Sequence, residues 1–150
     1  IATTPADPMR RLLPILALAP ACLVLTGCDL FGDKDKENLN KACGPAPSAM
    51  ASTPTLPGAF PIAKGLTYTG VKKDGPSTVA TGYTAGTSIG DAHTLFSTTL
   101  KNAAGYQVTH EEQDVADSEV NFAGHQQSGQ VKMVQGCKDR TTVTITIRPA

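Results

Sequence analysis

Between Leu12 and Gly27 the chain carries no charge and little besides aliphatic side chains, and Arg10 and Arg11 stand immediately before it. A basic pair followed by a short apolar run has the form of a secretory signal peptide, an n-region and then an h-region. The run falls short of the roughly 20 apolar residues that a membrane-spanning helix needs. Pro14 and Pro20 interrupt it as well. This stretch reads as an address, so the core must come from the rest of the 150 residues, enough for one ordinary domain.

The run ends in Leu25-Thr26-Gly27-Cys28. A large aliphatic residue, two small ones and a cysteine resemble the lipobox of bacterial lipoproteins, and the resemblance extends back to Arg10. It implies that Cys28 receives a diacylglycerol thioether and that a type II signal peptidase cuts between Gly27 and Cys28. It also implies acylation of the new amine. The residue types suit that chemistry, since Thr26 and Gly27 keep the site slim and the Cys28 thiolate is the strong nucleophile there. Two or three acyl chains at about 0.8 kcal/mol per buried methylene would make release from a bilayer effectively irreversible. The implied location is the extracytoplasmic side of the cell membrane. Met9-Arg10-Arg11 is the expected start, with residues 1–8 upstream of it.

Charge narrows the partners. Thirteen Lys and Arg balance thirteen Asp and Glu, which argues against nucleic acid, because phosphates call for a basic surface. Aromatic residues are 5% of the chain and Trp is absent, so platforms for stacking bases or sugars are scarce. Without Arg10, Arg11 and Asp7, residues 28–150 hold 11 basic and 12 acidic groups, a net charge of −1. Lipid, and not charge, would hold them at a membrane.

Three regions are expected: 1–27, upstream residues and signal peptide, removed; 28–60, a tether and a Pro/Ala/Ser/Thr-rich linker; and 61–150, a small α+β domain. Asp33-Lys34-Asp35-Lys36-Glu37 faintly resembles a calcium loop. However, Asn38 stands where glycine is needed and no closing glutamate follows, so the stretch reads as solvated. Pro45, Pro47, Pro54, Pro57 and Pro61 predict extended, polyproline-like chain at roughly 3 Å per residue.

Beyond Phe60 the pattern turns to strands. Leu66–Val71 and Ser77–Tyr83 flank an Asp74-Gly75 turn and predict a hairpin. Ile89, Ala92, Leu95, Phe96, Thr99, Leu100 and Ala103 recur at three- and four-residue steps, an amphipathic helix. Ser88 with Asp91 forms a variant capping box, and Gly105 ends the helix. A short strand at Tyr106–Thr109 and strands at Glu119–Gly124, Gln130–Val134 and Thr141–Ile147 follow. In the last of these Val143, Ile145 and Ile147 alternate with Thr142, Thr144 and Thr146. One wet face, one buried face and a single covering helix predict a two-layer α+β domain. Its sheet is antiparallel and its order β-β-α-β-β-β.

Cys22 would be discarded with the signal peptide and Cys28 lipidated. Cys43 and Cys137 remain, an even pair in an exported chain, and predict a disulfide. The alternative is two free thiols.

Reactive groups do not converge in the sequence. His93 edges the helical apolar stripe, and His125 lies in a polar turn. His110-Glu111-Glu112-Gln113-Asp114 lacks the second histidine of a zincin. A metal site would require the fold to gather His93, His110 and a carboxylate such as Glu111; no metal and no cofactor are expected. Gly86-Thr87-Ser88-Ile89-Gly90 is one residue out of register for a nucleophile elbow. Glu111-Glu112 and Asp114-Asp117 read as a solvated acidic loop and not as an acid–base pair.

The expected function is that of a membrane-anchored envelope lipoprotein, a non-enzymatic binding or structural module. Its partner is an unknown envelope protein or ligand, and its contact surface Thr142, Thr144 and Thr146 with Lys132. The alternatives are a small-ligand carrier with a groove lined by Leu95, Phe96 and Leu100, or an enzyme or enzyme inhibitor.

Overall fold

Asp74 and Ser77 pair across the two-residue loop Gly75–Pro76, closing a hairpin between β1 (Thr67–Asp74) and β2 (Ser77–Ala85). Gly75, at φ 56°, supplies the positive φ that such a tight loop needs at its first position. In the computed structural model, which describes residues 39–150, the chain continues through helix α1 (Ile89–Asn102). Four strands follow: β3 (Tyr106–Gln113), β4 (Asp117–Gly124), β5 (Gln127–Cys137) and β6 (Arg140–Pro149). The expected signal segment, Cys22, the expected Gly27/Cys28 cleavage site with its expected lipidation residue Cys28, and the charged stretch up to Asn38 lie outside the described residues.

The six strands form one antiparallel sheet ordered β1-β2-β6-β5-β4-β3. The α+β class and the single helix match expectation. The order is β-β-α-β-β-β-β, with four strands after the helix and not three. The run expected as a short strand at Tyr106–Thr109 is a full edge strand reaching Gln113. Its outer half pairs with β4, and Thr109 to Gln113 stay exposed.

Helix α1 starts as its sequence dictates. The Ser88 hydroxyl oxygen accepts from the Asp91 N–H at 3.1 Å, and the same hydroxyl donates to the Asp91 carboxylate at 2.8 Å. The cap is therefore one-sided: Ser88 takes the Asp91 N–H, while the Asp91 carboxylate bonds the Ser88 hydroxyl and not the Ser88 N–H that a full capping box uses. The helix buries Ile89, Ala92, Phe96 and Leu100 against β3, β4 and β5. Facing them are Val120 and Phe122 of β4, Val131 and Met133 of β5, and Val143, Ile145 and Ile147 of β6. Gly129 belongs to the same face; a Cβ there would strike the Phe122 ring and the Thr146 carbonyl.

One helix cannot cover this sheet. Six strands at about 4.8 Å span roughly 24 Å, whereas a helix with its side chains is about 10 Å wide. The remainder is closed by the proline-rich segment, residues 44–66, which had been expected as part of a linker up to residue 60. The segment is largely extended, with a 3₁₀ turn at Pro57–Ala59 and a second turn closed by the Leu66 N–H on the Ala63 carbonyl, and it packs. Leu56, Phe60 and Ala63 are buried in the main core, with Met50 and Leu66 against it. The Phe60 ring centroid lies 5.0 Å from that of Phe122 and 5.9 Å from that of Tyr106. Proline composition here sets an extended backbone without keeping the chain off the body. This strap passes the outer edge of β1, where the Met50 N–H donates to the Tyr68 carbonyl at 2.8 Å.

The strap is fastened where it begins. Cys43 and Cys137, 94 positions apart in sequence, form a disulfide with their Cα atoms 5.2 Å apart. Lys138 N–H donates to Lys41 O, and the Arg140 guanidinium donates to the carbonyls of Gly44 and Pro45. Closing so long a loop is worth roughly 4–5 kcal/mol in the chain-entropy account.

Candidate functional site

Strand alternation decides what the open face presents. Because Val143, Ile145 and Ile147 point inward, Thr142, Thr144 and Thr146 must point outward. Register then carries each row across the sheet. Thr146 lies between Val79 and Gln130, and Asn121 and His110 continue its row. Thr144 lies between Thr81 and Lys132, with Glu119 and Glu112 beyond; Thr142 lies between Tyr83 and Val134. The three threonines and Lys132, the expected contact surface, therefore share one broad polar face, and none of them is buried.

The face is ordered by its own bonds. Glu119 is its hub: Lys132 donates to one carboxylate oxygen at 2.8 Å and the Gln130 amide to the other at 2.9 Å. Bonding to Glu119 raises the Lys132 pKa above the ordinary lysine value. On the β1–β2 side the Thr69 and Thr81 hydroxyls lie 3.2 Å apart. Arg140 sits 5.7 Å over the Tyr83 ring. Short hydroxyls, amides and one held ammonium make a surface for hydrogen bonding, and pre-ordered side chains lose less entropy on contact.

His93, at the edge of the apolar stripe, is the centre of a second cluster, of which sequence reasoning named His93 and Glu111 but not Ser118 or Lys101. Its Nδ1 bonds the Ser118 hydroxyl, which also donates to the Glu112 carbonyl at 2.8 Å. Its Nε2 lies 3.4 Å from the Glu111 carboxylate, and Lys101 donates to that same group at 2.8 Å. The Lys101 hydrogen bond first, and then one from Ser97, hold the Glu111 carboxyl below the usual glutamate range. Serine, histidine and glutamate in contact suggest a nucleophilic triad, but Ser118 is only 2% exposed and its hydroxyl is committed to a backbone carbonyl. The cluster pins α1 to β3 and β4.

The other candidates disperse. The structure brings His93 and Glu111 together, but His110 falls on the row of Asn121, on the open face. No group of three His, Cys, Asp or Glu residues among the described residues is placed to hold a metal. His125 stacks on Tyr106 at 4.9 Å between ring centroids, with Nε2 2.9 Å from the Ala104 carbonyl. Ser88 is the helix cap. Glu112, Asp114, Asp117, Ser118 and Glu119 line a recess of about 80 Å³. The space between helix and sheet, where a carrier's groove was placed, is filled by Phe96, Leu100, Val120 and Met133, each at most 1% exposed. Leu95, half-buried, packs against that core from the side. Among the described residues no helix is long and apolar enough to cross a membrane. In comparisons with known proteins, no family model, no curated sequence and no solved structure matches the chain.

Proposed function

We propose that this protein is a lipid-anchored envelope lipoprotein, fastened through Cys28 on the extracytoplasmic side, that works as a non-enzymatic binding or structural module. The observation that carries the reading is Leu25-Thr26-Gly27-Cys28 at the end of a basic-then-apolar segment. The Cys43–Cys137 disulfide supports it, because such bonds persist in oxidising compartments outside the cytosol. The polar face of Thr142, Thr144, Thr146 and Lys132 supports a contact role, since it offers unburied hydroxyls beside an ammonium held by Glu119. The one serine–histidine–carboxylate cluster described is closed to solvent at its serine, which favours binding over catalysis.

Replacing Cys28 with Ser in the producing bacterium tests the anchor. The native chain is expected in the membrane fraction with the intact mass of a diacylglyceryl-modified protein beginning at Cys28. The variant is expected to lose that mass and that fractionation. Unchanged fractionation, or a native mass without lipid, overturns the reading. Crosslinking on whole cells tests the module: a reactive group placed at Thr144 is expected to capture a defined partner that one placed at exposed Thr94 on the helix does not.

A further inference from the structure

The face that carries Thr142, Thr144 and Thr146 divides by charge along a line parallel to its strands. Val79, between buried Thr78 and Ala80, points to this open side. Lys72, its cross-strand partner on β1, therefore does so too, as does Asp74 opposite Ser77. Arg140 and Arg148 follow Thr142 and Thr146 in the alternation of β6. The strands β1, β2 and β6 thus present three cations and one anion. On the other half Lys132 pairs across strands with Glu119, Glu119 with Glu112, and Asp117 with Val134. The strands β5, β4 and β3 thus present one cation and three anions.

Most of these charges are unmet within the molecule. Among the described residues the face holds one ion pair, Lys132 to Glu119 at 2.8 Å, and neither Lys72 nor Arg148, Glu112 nor Asp117 is in another. Glu112 is placed worst, because its cross-strand neighbour is Glu119, and like charges directly opposite each other destabilise a sheet.

Opposite halves on one surface fit a second copy of this chain. A two-fold axis parallel to the strands, between β6 and β5 at the middle of the sheet, lays the positive half of each copy over the negative half of the other. An axis across the strands would set β1 over β1 and like charge over like, so the charge pattern selects the first. We propose that the protein pairs with a second copy through its open sheet face, Lys72 of each copy meeting Glu112 of the other. Lys72 stands on one edge strand and Glu112 on the opposite edge, one row further along. With packed sheets about 10 Å apart, their backbones come within roughly 12 Å, which the two long side chains span. The two Lys132 ammoniums, nearest the axis, are each neutralised by their own Glu119. Six strands across and Thr142 to Arg148 along give roughly 24 Å by 20 Å. That is near 500 Å² from each copy and about 1,000 Å² in all, the floor for specific association. The inference rests on the reading of this face as the contact surface and names its occupant; it does not depend on Cys28.

The test is sedimentation of the whole chain in density-matched mild detergent, with micelles in excess so that copies do not share one. A monomer–dimer equilibrium is expected, about tenfold weaker for Lys72→Glu or Glu112→Lys, each of which sets like charges together at both copies of the contact. Mixing the two variants is the decisive arm. A Lys72→Glu copy beside a Glu112→Lys copy has opposite charges at both contacts, and the mixture is expected to regain the native affinity. Both residues are exposed, so both variants keep the fold. A monomer at every concentration up to about a millimolar, a dimer indifferent to either variant, or a mixture as weak as its components overturns the proposal. Crosslinking from Thr144 on whole cells separates this failure from that of the reading beneath it. Capture of a second copy supports both; capture of a different protein alone keeps the contact face and removes the self-pairing; no capture removes both.

Discussion

Gln126 holds a backbone that suits it badly. The β4–β5 turn puts His125 at φ 50° and Gln126 at φ 59°, the left-handed region in which a side chain costs about 1–2 kcal/mol. His125 is compensated by stacking on Tyr106 and by its bond to Ala104. The Gln126 side chain is exposed and only its carbonyl is used, by the Ala150 N–H. Gln126→Gly is therefore expected to stabilise the fold by about 0.5–1 kcal/mol, after glycine's greater unfolded-state entropy is set against the relieved strain. The urea midpoint measures it. Glu111 gives the matching test in pH. Its carboxyl titrates below the usual glutamate range in the folded state. Its stabilisation is therefore fully present above the unfolded value of about 4.3 and is lost as pH falls through the lowered folded value. Exposure limits the effect to under about 1 kcal/mol. Urea unfolding of the native chain and of Glu111→Gln is expected to differ by that amount at pH 7 and to converge at pH 3.

Elements differ in how far their sequence announces them. β6 and α1 were legible because burial imposed a period: every second residue from Thr141 to Ile147, and Ile89, Ala92, Phe96 and Leu100 on the helix. The outer half of β3 has no such period. His110 to Gln113 are exposed on an edge and their contacts with α1 and β4 are polar, so nothing selects an apolar alternation there. The strap was misread for another reason. Proline and alanine report backbone shape, and two large apolar side chains four apart, Leu56 and Phe60, are too few to signal burial. The His93 cluster joins residues 18 and 25 positions away, a juxtaposition made by the helix crossing and not by any local pattern. The strap carries its own prediction. Phe60→Ala is expected to cost about 3–5 kcal/mol, as a ring lost from a packed core does. Removal from a free linker would stay within about 0.5 kcal/mol. Chemical denaturation distinguishes the two.

At the scale of the whole molecule, the disulfide joins the strap's origin to the far end of β5, so helix, strap and sheet close on one core. Cys43→Ser with Cys137→Ser is expected to lower stability by about 2–5 kcal/mol. Thermal melts with and without reductant should reproduce the same loss in the native chain and no further loss in the double variant. The same bond decides where mechanical load travels. A pull on the chain ahead of Cys43 cannot peel the strap away residue by residue from Gly44, because the force passes through sulfur into Cys137. β5 lies inside the sheet, paired with β6 as far as Cys137 and with β4 from Gln127 to Val134. Traction along that line shears two ladders together, instead of unzipping an edge one bond at a time.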